Sequence, residues 1–146
     1  MDDVSRSTAL ERGVATAAAS PLIALLAGAA AAQEYGPEDG KQLYPDVAGV
    51  RVVEIGEMPS EIAAYSKVMI VDVIHQPGTG DPGAQMMDMD MVCFITAGEY
   101  RIRKDGGKEF SVKKGDIYTC GEGNTDWATN VGDVYGVHRI ALLVPA

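Results

Sequence analysis

The chain has 146 residues, with 21 acidic residues against 12 Lys and Arg and a formal charge of -9. That balance excludes nucleic acid as a partner, because phosphate binding needs clustered Lys and Arg, and it disfavours an anionic membrane surface. The length predicts one domain, with or without a tail, and is enough to bury a core without metal or disulfide staples. With 17 Gly and only 6% aromatic residues, the composition suits a turn-rich β domain better than a helical bundle.

The first 32 residues hold eleven Ala, and an apolar run over 21–32 (PLIALLAGAAAA) ends in Ala30-Ala31-Ala32 before Gln33. The run is about half the length of a membrane-spanning helix. A short apolar run with a small-residue end predicts a secretory signal peptide over 1–32, cleaved after Ala32. The protein is then expected to be periplasmic or secreted, with no membrane insertion after cleavage. Asp2, Asp3 and Glu11 offset Arg6 and Arg12, which leaves an ordinary Ala-rich helix open as the other reading. No twin-Arg pair is present. Outside the cytoplasm Cys93 and Cys120, the two cysteines, could form a disulfide.

Residues 33–49 are rich in Gly, Pro and charge and predict an irregular lead-in. Strands are expected at 50–55 (VRVVEI) and 68–75 (VMIVDVIH), with a loop or one helical turn over 58–67 between them. The segment 76–84 (QPGTGDPGA) is a turn region, and 85–96 holds one strand or two. Residues 99–103 and 108–113 flank Asp105-Gly106-Gly107 as a hairpin. Further strands follow at 117–120, 126–130 and 134–144. Many short strands and frequent turns predict an all-β sandwich or barrel over 50–146. Side chains alternate between the two faces of a strand. If Asp72 points outward, Met69, Val71, Val73 and His75 point inward. In the last strand Val134, His138, Ile140, Leu142 and Val144 share a face opposite Arg139. Both histidines thus fall on inner faces, as satisfied core residues or as polar anchors of a pocket.

Two spaced motifs carry a family resemblance. Gly115, Gly121, Gly123, Asp126 and Asn130 keep the spacing G-x5-P-x-G-x2-H-x3-N, with Gly121 in place of Pro and Asp126 in place of His. Counting back from Gly98 through G-x5-H-x-H-x3,4-E-x6-G puts Gln85 and Met87 at the two His positions and Met91 at the Glu position. On these residues the chain resembles a small single-domain cupin (RmlC-like jelly-roll) protein with degenerate metal-binding motifs. The resemblance implies a double-stranded β-helix, or jelly-roll barrel, a cavity lined by the motif positions, and homodimers as a common state. Cupin enzymes hold Fe, Mn, Ni or Zn through imidazoles and a carboxylate. Here the corresponding set would be Gln85, Met87, Met91 and Asp126, too poor in N and O donors for a divalent ion without His75 or His138.

In the cupin frame one face of 85–95 reads Gln85, Met87, Met89, Met91, Cys93, Ile95 and points into the barrel. Thioethers and a thiol suit a soft ion, Cu(I) above all; equally, Met is a flexible filler of apolar space. The leading expectation is a small-molecule ligand in an apolar barrel, lined by His75, Gln85, Met87, Met91, Asp126, Trp127 and His138, with no cofactor. The alternatives are a copper-binding module using Met87, Met89, Met91 and Cys93, and a metal-dependent enzyme with an atypical site. No nucleophile–base constellation stands out, so no catalytic residue is assigned. Asp88 and Asp90 are expected to be solvated, and Glu122 could reach the barrel mouth.

Overall fold

The computed structural model describes residues 35–146; the expected signal peptide lies outside them. Ten strands form two antiparallel sheets. They are β1 (Lys41–Tyr44), β2 (Val47–Pro59), β3 (Tyr65–His75), β4 (Gln85–Met86), β5 (Asp90–Ala97), β6 (Glu99–Lys104), β7 (Glu109–Lys113), β8 (Ile117–Cys120), β9 (Thr125–Asn130) and β10 (Gly136–Pro145). The larger sheet runs β1-β2-β3-β10-β5-β8 and the smaller runs β4-β9-β6-β7. From β3 onward the chain changes sheet at every connection except the β6–β7 hairpin. This gives the jelly-roll, or double-stranded β-helix, arrangement.

Local chemistry accounts for the strands. β3 is dominated by β-branched residues and pairs on both sides, with β2 and β10, and residues 71 to 75 are all buried. The β6–β7 hairpin turns on a single 3-10 turn whose Gly106 has φ 70°. Gly98, which closes the first motif, has φ 82°, a left-handed conformation that costs an L residue steric strain. It lets the chain leave β5 and enter β6 within one residue, beside the backbone of Gly136. One core cluster joins Ile95, Tyr100, Ile102, Val112 and Ala128; a second joins Val50, Val71 and Val73.

Several expectations need correction. The lead-in is not wholly irregular, because Lys41–Tyr44 pairs with β2; its signal was weak since a four-residue edge strand needs little apolar content. The 85–96 segment is two strands broken at residues 87–89, so the alternation does not run unbroken through Met89. Asp72 does face away from the cavity, yet it is fully buried. It accepts two hydrogen bonds from the Arg139 guanidinium, both 2.7 Å, and one from the Tyr35 hydroxyl at 2.7 Å. Val134 is exposed and precedes β10. Asp90 is not simply solvated, since it accepts from the Tyr65 hydroxyl at 2.7 Å and the Glu122 amide at 2.9 Å. Cys93 and Cys120 are both free. Cys93 lies opposite Tyr118 and Cys120 opposite Met91 on paired strands. This diagonal offset typically separates residues by about 7–8 Å, too far for a disulfide.

Candidate functional site

The space between the sheets holds a cavity of about 130 Å³. Its lining takes Val73 and His75 from β3, Gln85 from β4, Met91 and Cys93 from β5, Tyr118 from β8, Asp126 from β9, and His138 and Ile140 from β10. Leu43 and Tyr44 of β1 complete the rim, while Met87 and Asp81 come from the connections on either side of β4. The motif spacing explains the convergence. β4 and β9 pair with Gln85 directly opposite Asp126, which puts one position of each motif on the same wall, while Met91 reaches the cavity from the larger sheet. Asn130, the last motif position, is fully buried. Its amide donates to the carbonyls of His75 at 3.0 Å and Val134 at 2.8 Å, tying the end of β9 to β3.

Of the residues expected to line the pocket, His75, Gln85, Met87, Met91, Asp126 and His138 all do so. Trp127 does not. It alternates with the buried Asp126 and Ala128 and so takes the opposite face of β9, where the Arg103 guanidinium lies 5.7 Å from its ring centre. Of the sulfur residues, Met87, Met91 and Cys93 reach the cavity and Met89, at the strand break, does not line it. Glu122 is exposed and away from the lining. Asp81, Tyr44 and Tyr118 were not anticipated. Asp81 lies in a loop, where strand parity says nothing; the QPGTGDPGA pattern marks a turn but not the direction of its side chains.

The polar groups form three linked sets. His75 is 1% exposed and its Nδ1 lies 3.1 Å from the Tyr100 hydroxyl. Its Nε2 is 3.6 Å from Asp81 Oδ1, beyond hydrogen-bond length, and has no hydrogen-bond partner. Asp81 is held by the Tyr44 hydroxyl and the Ala128 amide, each at 2.8 Å. Burial raises the Asp81 pKa, but His75, the Ala128 amide and Tyr44 more than offset it, leaving the carboxyl below its ordinary value. Asp126 meets Lys104 Nζ at 2.8 Å; burial pushes its pKa up, and Lys104 offsets only part of that. His138 Nε2 lies 3.0 Å from the Tyr118 hydroxyl. Burial drives the Cys93 thiol up to about 12, with the Asp126 charge adding to it.

His138 predicts a pH effect. Burial, then the neighbouring His75, pushes its pKa from 6.5 down to about 3. Below pH 6.5 the unfolded chain takes up a proton that the folded chain refuses. Stability from this group is therefore complete above pH 6.5 and is lost progressively as pH falls to 3. His138→Gln should flatten the urea-midpoint profile over that window, by an amount on the order of a few kcal/mol at its acid end; an unchanged slope would refute the buried neutral ring.

The ordinary cupin metal set does not fit these residues. Its four positions carry an amide, two thioethers and a carboxylate already held by Lys104. Among the described residues no group of three or more His, Cys, Asp and Glu is arranged to hold an ion.

The fold and cavity define the class: the chain has the cupin fold, a double-stranded β-helix. Solved structures with this fold match it over most of their length. KdgF from a Halomonas species is 14% identical, with a TM-score of 0.57 over 73% of this chain and 88% of that one. A Cupin 2 conserved barrel domain protein from Salinispora arenicola is 17% identical, with a TM-score of 0.55 over 77% and 89%. An RmlC-like cupin protein with a double-stranded β-helix fold from Methanocaldococcus jannaschii is 13% identical, with a TM-score of 0.55 over 74% and 92%. No protein-family model and no curated protein matches the chain by sequence.

Proposed function

We propose that the protein binds a small organic molecule inside the barrel, through polar anchors set in apolar walls and without the usual His/Glu metal site. The observation that carries this reading is the cavity itself. Met87, Met91, Val73 and Ile140 supply an apolar lining, and His75, Asp81 and Asp126 line the same space. Convergent polar groups in an apolar concavity are the ordinary makeup of a ligand site. The reading extends to an exported protein, on the strength of the 21–32 run; a secreted product starting at Gln33 by intact mass would support it, and a retained leader would refute it.

Methionine methyl resonances provide the test. In a small-molecule screen by NMR, binders should shift Met87 and Met91 and leave Met58 and Met86, which are 63% and 73% exposed, unmoved. Shifts confined to the exposed pair, or to none, would overturn the reading. Copper binding is the second reading, favoured by two thioethers and a thiol that line the same cavity. It has against it a thiol that burial holds protonated, since the thiolate is the ligand form. Stoichiometric copper that is lost in the M87L/M91L double variant would replace the first reading with the second.

A further inference from the structure

The geometry points to a neutral, hydroxyl-bearing molecule no larger than one six-membered ring as the cavity's occupant, its hydroxyl seated between His75 Nε2 and Asp81 Oδ1. This rests on the ligand-binding reading above and specifies its chemistry.

His75 supplies the first constraint. The Tyr100 hydroxyl approaches Nδ1 of His75, and burial raises its pKa well above 10, so it stays protonated. No other acceptor meets it among the described hydrogen bonds, so the hydroxyl donates and Nδ1 accepts. In the neutral ring the proton then sits on Nε2. That nitrogen is a donor, buried and unpartnered, on a side chain that is 1% exposed and lines the cavity. A buried donor with nothing to bond to carries an uncompensated desolvation cost, and a ligand acceptor removes that cost.

Asp81 supplies the second. Its Oδ1 takes one hydrogen bond from Tyr44 and its Oδ2 one from Ala128, which leaves accepting capacity on the side facing His75. The 3.6 Å gap is too long for the two groups to bond each other. An oxygen about 2.8 Å from each spans it. A hydroxyl does both jobs, accepting from Nε2–H and donating to Oδ1. A carbonyl or ether can only accept, and a methyl group does neither.

Charge and size supply the rest. Asp81 and Asp126 face the space, and Lys104 answers only the second, so an anionic occupant meets net repulsion. The volume of about 130 Å³ is close to that of an apolar cavity known to admit benzene, roughly 150 Å³. The thioethers of Met87 and Met91 are polarisable partners for an aromatic or aliphatic ring.

Phenol and toluene test this directly on the full chain, because they share a shape and differ in one hydroxyl. Isothermal titration should show phenol binding at least about tenfold more tightly than toluene, the factor a hydrogen bond to a charged partner is worth. Benzoate should not compete. Long-range proton–nitrogen NMR should place the His75 proton on Nε2 and shift that nitrogen on adding phenol, a readout that needs no variant. Asp81→Asn and His75→Leu should each erase the preference for phenol. Equal or better binding of toluene would overturn the hydroxyl assignment while leaving a ligand cavity standing. Failure of both probes to shift Met87 and Met91 would instead overturn the cavity reading itself.

Discussion

Asp72→Ala is expected to destabilise the fold by about 3 kcal/mol, the cost of leaving one member of a buried ion pair without its partner. For a domain near this size that lowers the melting temperature by roughly 10–15 °C. Asp72 is fully buried in the middle of the larger sheet, between Val53 of β2 and Arg139 of β10. Its carboxylate receives a two-point bond from Arg139 and a third from Tyr35. Without it the Arg139 side chain, about a third exposed, turns its guanidinium partly to water, which keeps the cost below that of a wholly buried charge. A second variant separates charge loss from lost volume. D72L/R139M removes both charges and should recover most of the stability by calorimetry, since replacing a buried pair with apolar groups is often neutral or better. If the double variant is as unstable as Asp72→Ala, the pair is not the source of the loss.

Gly98→Ala should cost a similar amount, about 3 kcal/mol, for a different reason. At φ 82° any L side chain is strained, a penalty of roughly 1–2 kcal/mol. A methyl group would also stand 2.7 Å from the Gly136 Cα, backbone that cannot swing aside, and such overpacking adds roughly 1–3 kcal/mol. Gly136 has no room to retreat, because its own open side faces the Tyr100 ring and hydroxyl. The displacement therefore passes to the residue that positions His75. Gly78 has φ 74° but open space around it, so Gly78→Ala isolates the conformational part and should cost only about 1–2 kcal/mol. Equal urea midpoints for the two variants would show that the close approach to Gly136 contributes nothing.

Much of this was legible in the residues. The hairpin announced itself through Asp105-Gly106-Gly107, and β8 through the five residues between Gly115 and Gly121. The convergence of Gln85, Met87, Met91 and Asp126 followed from motif spacing, because turn glycines set register whatever the side chains between them. Other features depend on contacts distant in sequence. Tyr35 reaches Asp72 and Tyr44 reaches Asp81 across 37 residues each, and nothing local marks either partner. Trp127 stands beside the motif in sequence, yet strand parity with Asp126 turns it to the other face of β9. Met89 was misplaced because the alternating pattern continues through a stretch where the strand does not. The orphan edge of His75 is a property of what surrounds it, so no pattern in the chain could have announced it.

The lead-in strand has a kinetic consequence. β1 is four residues long, pairs only with β2, and three of its residues are exposed, whereas β3 and β10 are paired on both sides. Short, exposed edge elements open at a fraction of the free energy of global unfolding. When β1 detaches, Leu43 and Tyr44 leave the cavity rim while the sheets behind them stay closed. On the ligand-binding reading proposed above, fraying of this one peripheral strand would open the rim of the cavity and change residence time inside it without any change in the stability of the domain.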